Sequence, residues 1–143
     1  MKLVYIDREH EFYAKAKKIR KICFFQGLSD ADKLIDDNFE QHGYHLVCIE
    51  ENGVVLGTGR LNIENFKGII SQMAILPKYQ KLGIGKSILT QLLKKCKENQ
   101  VETIELNARE AAIDFYGKMG FEVVGTKYPS QKTGVIHQKM VKK

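Results

Sequence analysis

The chain has 143 residues, of which 43% are hydrophobic and 28% charged, and its formal net charge is +6. That length suits one domain over residues 1–143, with a core large enough to need neither disulfides nor a metal, and the charged share is too ordinary for a disordered chain. No apolar run reaches the ~18–20 residues that cross a bilayer, and charge arrives early at Lys2, Asp7 and Arg8, so the expectation is a cytoplasmic protein without a secretory leader or a membrane partner.

Residues 2–6 alternate and predict a first strand. Asp7 is placed to cap a following helix on which Phe12, Ala16, Ile19 and Cys23 share a face, with Gly27 as its stop. Ser29 and Asp30 predict the start of a short second helix that runs to about Phe39. A strand over 45–50 leads into Asn52-Gly53, a pair suited to a two-residue type I′ hairpin turn. The returning strand, 54–63, contains Gly57 and Gly59, which weaken it or mark a bulge. Asn65 begins another turn, and 67–76 completes a meander that Pro77 ends.

Beyond a polar loop, Ile84, Ile88, Leu89, Leu92, Leu93 and Cys96 form the apolar stripe of a long helix. Its terminal Lys94, Lys95 and Lys97 complement the helix dipole. A strand over 103–108, a helix over 109–119 closed by Gly120, a strand over 121–128 and a last strand over 135–141 finish the chain. The order β-α-α-β-β-β-α-β-α-β-β describes a mixed α/β domain. Cys23, Cys48 and Cys96 lie far apart in apolar-patterned segments and read as reduced core thiols. His42 and His45 have no evident companions for a metal site.

The segment Gln80-Lys81-Leu82-Gly83-Ile84-Gly85-Lys86-Ser87 carries the most chemistry. It joins a strand to a helix, so the unpaired first amides of that helix, the positive end of its dipole and two lysines can converge on an anion. A P-loop would need glycine where Gln80 stands, and a dinucleotide fingerprint would need glycine where Ile88 stands. What remains is Gln/Arg-x-x-Gly-x-Gly. A glycine-rich start to a helix that binds nothing is the competing reading.

With this loop in place, the chain resembles the GNAT superfamily of acetyl-CoA-dependent N-acetyltransferases. Met73-Ala74-Ile75-Leu76-Pro77 is similar to the family's lead-in, and Ala111 through Phe121 is similar to its Ala-x-x-Phe/Leu-Tyr-x-x-x-Gly-Phe segment. The likeness is strongest over about 44–128. Leu106-Asn107-Ala108-Arg109 and Gly134 through Met140 are similar to the ElaA-like branch, with Val135-Ile136 where that branch has Ile-Pro.

The resemblance implies a mixed, mostly antiparallel central sheet of six to seven strands flanked by four helices. It implies acetyl-CoA as acyl donor, no metal, and direct transfer to a primary amine of a small molecule or peptide. The pantetheine arm would lie along the fourth strand at Met73, Ala74 and Ile75, and the pyrophosphate at Gln80, Lys81, Leu82, Gly83, Ile84, Gly85, Lys86 and Ser87. Tyr116 would protonate the departing thiolate. Two departures stand out. The asparagine that often holds the coenzyme arm is replaced by Arg109, with Asn107 two residues earlier; Arg109 could bind that arm or a phosphate, or be a surface residue. The fourth strand carries no glutamate, which leaves Glu105, His137, Glu64 and His45 as candidates for a base, none of them singled out.

Two other classes compete. A non-catalytic acyl-CoA-binding module would keep the loop and lack turnover. A nucleic-acid-binding domain would explain the positive charge, but no helix-turn-helix or aromatic platform accompanies the lysines, and no nucleic-acid partner is expected. A terminal edge strand could pair two copies into a homodimer.

Overall fold

Alternation of apolar side chains along the meander builds two cores, one on each face of a central sheet. The computed structural model describes residues 1–143. In chain order it contains β1 (Lys2–Ile6), α1 (Glu11–Phe24), α2 (Ala31–Ile35), β2 (Tyr44–Ile49), β3 (Val55–Glu64) and β4 (Lys67–Ile75). After a 3-10 turn at Pro77–Tyr79 come α3 (Ile84–Glu98) and β5 (Thr103–Arg109). A second 3-10 turn, Glu110–Ala112, precedes α4 (Ile113–Lys118), β6 (Glu122–Val123), β7 (Tyr128–Pro129) and β8 (Ile136–Lys142). The strands make an eight-stranded sheet of order β1-β2-β3-β4-β5-β8-β6, with β7 also paired to β8. Only β4 and β5 run parallel.

On β2, Leu46 and Cys48 join the core beneath α3 and α4, while Val47 and Ile49 join the core beneath α1. Ile88, Leu89 and Leu92 of α3 are 0% exposed, each contributing on the order of 1.5–3 kcal/mol of transfer free energy. That burial clamps α3 to the sheet and fixes the position of its N-terminus. Gly57 and Gly59 let the helix come this close: a Cβ at Gly59 would stand 2.8 Å from both Ile88 Cγ2 and Met73 Sδ. The expected bulge is present opposite Gly59. Thr58 pairs with Ala74 and Arg60 with Ser71, so one residue of β3 faces two of β4, and Gln72 takes a left-handed φ of 55°.

Several boundaries differ from the sequence reading. His10, not Asp7, caps α1: its Nδ1 accepts from the Phe12 amide at 3.0 Å, because Asp7 to His10 are already closed into a turn. The second helix stops at Ile35 rather than near Phe39, since the Asp37 carboxylate takes the Phe39 amide and turns the chain toward Arg60. Asn52-Gly53 is not a type I′ pair. Gly53 alone has positive φ, and bonds from Gly53 N–H to Glu50 and from Glu50 N–H to Val54 close a three-residue bulged loop. The turn with two left-handed residues is Asn65-Phe66.

The strand expected over 121–128 is broken into β6 and β7, which raises the count to eight strands. Gly125 is left-handed at φ 75°, and the Gln138 side-chain amide donates to the carbonyls of Val124 and Gly125 in place of a ladder bond. No helix is long and apolar enough to cross a membrane.

Candidate active site

The bulge at Gln72 opens the middle of the sheet. β4 and β5 pair only from Lys67 with Thr103 to Ile70 with Leu106. Beyond that point the strands separate, and a cavity of about 610 Å³ passes between them. Phe24, Phe25 and Asp37 line it from the α1 side, Ala112 and Tyr116 from the α4 side. The Leu76 amide bonds back to Leu56 on β3, so by alternation the peptide groups of Met73 and Ile75 face away from β3, toward the opening. Met73 lines the cavity, whereas Ala74 is buried against α1. The Ile75 carbonyl already accepts from Cys23 Sγ at 3.2 Å and from Gln80 Nε2 at 3.0 Å. Cys23 is therefore not a core thiol like Cys48 and Cys96: the last turn of α1 holds it half-buried over the β4 edge, and burial pushes its thiol pKa up against the lowering charge of Arg109.

The glycine-rich loop sits at the end of β4. Lys81 and Gly83 have φ of 66° and 84°, and Gly83 is the N-cap of α3. The first helical amide with a backbone partner is that of Ser87, which donates to Gly83. The amides of Leu82, Gly83, Ile84, Gly85 and Lys86 find no acceptor within the chain and cluster at the positive end of the helix dipole. Gly83 has nothing within 4 Å of a would-be Cβ, while at Gly85 the nearest atom is Phe115 Cζ at 3.6 Å. Ile84 is buried and anchors the loop, Lys81 and Lys86 stand in solvent, and Ser87 Oγ bonds Gly83 O at 3.1 Å. The Gln80 side chain is spent on Ile75, so it clasps the loop to β4.

Tyr116 lies on the first full turn of α4, its ring held edge-on by Phe115 at 5.0 Å and Phe121 at 6.0 Å. It lines the cavity, is 8% exposed, and burial alone pushes its phenol pKa well above the ordinary value. Such a phenol stays protonated and available as a donor. Asn107 and Arg109 also line the cavity. They alternate with Leu106 and Ala108, which belong to the α3 core, so they face the α1 side of the opening. Arg109 spans it, donating to the Cys23 carbonyl at 3.3 Å and lying 5.2 Å from the Phe24 ring centroid.

Of the four candidate bases, only His137 lines the cavity. Its Nδ1 lies 2.8 Å from the Val135 carbonyl, which can only accept, so Nδ1 carries a proton and Nε2 is the acceptor nitrogen of the neutral ring. Glu105 is occupied by Lys67 and Lys139, and Glu64 ends β3 in solvent. His45 is buried with Nε2 on the Glu40 carbonyl at 3.0 Å, and burial holds its pKa below the usual value.

The α1 side of the cavity carries a charged network that the sequence reading missed. Glu40 is 0% exposed and accepts from Arg20 Nη1 at 2.7 Å and Nη2 at 2.8 Å, from Arg60 Nη1 at 2.7 Å, and from the Tyr13 hydroxyl. Burial would raise its carboxyl pKa, but the Arg20 bonds and charge, with Tyr13 and His45, hold it at about 2. The two arginines then reach the bulge: Arg20 Nε donates to Gln72 Oε1 at 3.0 Å and Arg60 Nε to Ser71 Oγ at 2.9 Å. Arg60 also chelates Asp37, which Lys132 meets from the far loop at 2.6 Å. A buried tie between α1, the segment after α2, and β3 thus holds the deformed stretch of β4.

Comparison with known proteins gives a consistent result. The family model described as Acetyltransferase (GNAT) domain matches residues 15–143. The Bacillus subtilis protein YyaT is 30% identical over 131 residues, covering 90% of this chain and 86% of its own. Escherichia coli ElaA superposes with a TM-score of 0.78 over 100% of both chains at 13% identity. An aminoglycoside 6'-N-acetyltransferase, solved with coenzyme A, superposes with a TM-score of 0.74 over 99% of this chain and 96% of its own, also at 13% identity.

Proposed function

The chain belongs to the GNAT acetyltransferase family, and from that premise we propose that it transfers an acetyl group from acetyl-CoA directly to a primary amine of a small molecule or peptide. The observation that carries the reading is the run of five unpartnered amides, Leu82 to Lys86, just beyond β4, whose Met73 lines with Tyr116 the cavity where β4 and β5 part.

Those amides take the diphosphate, with Lys81 and Lys86 adding charge from solvent. The free edge of β4 at Met73 and Ile75 holds the pantetheine arm as an added strand, displacing Gln80 and the Cys23 thiol from the Ile75 carbonyl. Asn107 and Arg109 line its far end. The acceptor arrives from the α1 side. Its amine lone pair attacks the thioester carbonyl and a C–N bond forms, while an edge amide of β4 donates to the carbonyl oxygen as charge develops. The C–S bond then breaks, and Tyr116 donates its proton to the thiolate. His137 Nε2, or water in contact with it, takes the proton the amine sheds.

A thiol-release assay with acetyl-CoA across a set of primary amines tests this. Amine-dependent CoA release, with the acetylated amine identified by mass, is the expected result. Tight acetyl-CoA binding with no amine-dependent release would instead make the protein a non-catalytic acyl-CoA-binding module.

A further inference from the structure

The acceptor end of the passage is cationic, and its one carboxylate is already used. Among the side chains that line the cavity, Arg60, Arg109 and Lys132 are cations and Asp37 is the sole acid. Asp37 Oδ1 accepts from Arg60 Nη1 at 2.9 Å and from the Phe39 amide at 3.0 Å; Oδ2 accepts from Arg60 Nη2 at 3.1 Å and from Lys132 Nζ at 2.6 Å. Two cations on one carboxylate leave nothing to receive an ammonium. Lys132, by contrast, is about one-third exposed and spends one of its N–H donors on Asp37. Arg109 spends one N–H on the Cys23 carbonyl and keeps the rest.

The positions are built. Lys132 rides a tight turn closed by Gly134 N–H to Ser130 O at 2.8 Å and by Lys132 N–H to Ser130 Oγ at 3.2 Å. Phe24, Phe25, Phe39 and Tyr128 wall the space around these charges with low-dielectric surface, which concentrates their field. Arg109 also flanks the coenzyme arm, but Lys132 lies on the α1 side, away from the loop amides assigned to the diphosphate, so the coenzyme's own charge does not account for it.

Resting on the acetyl-transfer reading, the geometry points to an acceptor that carries a single reacting amine and, remote from it, a carboxylate, with Lys132 as the residue that selects it. Polyamines and other polycationic acceptors are disfavoured: a second ammonium would meet Lys132 and Arg109 and no free acid. The carboxylate adds to Lys132 through its unused N–H groups, leaving the pair with Asp37 in place.

The test compares ω-aminocarboxylates, from glycine to ε-aminocaproate, with the n-alkylamine and the α,ω-diamine of equal chain length. The readouts are thiol release and, separately, calorimetric binding of the N-acetylated carboxylates to the CoA complex. At some chain length the carboxylate should exceed the alkylamine by about tenfold in kcat/KM, with the diamine last. Lys132→Ala should erase that preference through KM, and Lys132→Arg should restore most of it, both variants being checked for an unchanged melting temperature. Diamines acetylated as well as the carboxylates, or a preference untouched in Lys132→Ala, would overturn the inference. If no amine is acetylated, Lys132-dependent binding of the N-acetyl carboxylates sustains the acceptor class while sinking acetyl transfer. Absence of such binding sinks the acceptor class itself.

Discussion

The two halves of the proposed site are built from different materials. The proposed coenzyme end is made of backbone: five consecutive amides, a helix N-terminus and an unpaired strand edge, all within residues 73–87. The acceptor end is made of side chains drawn from α1, the 37–40 segment, β3, β4 and the loop at Lys132, held by a buried carboxylate between two arginines. In the proposed reading, the first would bind any ligand with the right diphosphate and arm. The second depends on which charges meet there.

The contrast predicts different kinds of damage. The largest effect is expected at the coenzyme end. Gly85→Glu places bulk and negative charge against the loop amides, and since a Cβ at Gly85 meets only ordinary contacts, the fold survives. Acetyl-CoA affinity should fall by about a hundredfold or more in calorimetry, with the melting temperature nearly unchanged. Unchanged affinity would break the assignment of the loop.

At the acceptor end the dominant damage is to stability. Glu40→Gln leaves Arg20 and Arg60 buried with one charge too few, and denaturant titration should register a loss of about 3–5 kcal/mol. A loss under about 1 kcal/mol would mean that the tie does not hold the bulge.

Tyr116→Phe touches neither end's binding. It should lower kcat by about a hundredfold with little change in KM for acetyl-CoA, as the loss of a proton donor at the leaving group requires. Full turnover would remove the phenol from the chemistry.

The smallest effect is in acid. The Glu40 carboxyl sits at about 2 in the folded chain, against an ordinary 4.5, so its contribution is complete above the ordinary value and is lost as pH falls from about 4.5 toward 2. Asp37, lowered by Arg60 and Lys132 against its burial, acts in the same direction. His45, held low by burial, adds a loss that begins as pH drops below 6.5, where the unfolded chain takes up a proton that the folded chain resists. Melting temperature should decline across this range, and Glu40→Gln should flatten the segment below 4.5.

The same contrast explains what was legible beforehand. The meander, α3 and the loop followed from local pattern: the alternation on β2, the stripe from Ile84 to Cys96, and two glycines at a strand-to-helix junction. Tyr116 became a candidate through its neighbours Phe115 and Gly120-Phe121, and the structure places it at the cavity wall. The network was not, because Arg20, Glu40, Arg60 and Lys132 each look like solvent-facing charges when read in sequence; only topology makes them neighbours. Arg20 and Arg60 do fall among apolar-patterned positions, a weak sign of burial. The cap at His10 and the break at Gly125 were missed for a related reason: each turns on one side chain, His10 or Gln138, finding a backbone partner.

A crystal structure with coenzyme A bound tests the central claim most directly. The account predicts the diphosphate on the amides of residues 82–86, the arm against Met73 and Ile75, and the sulfur within hydrogen-bond reach of the Tyr116 hydroxyl. A coenzyme seated elsewhere, or a sulfur far from that hydroxyl, would contradict it.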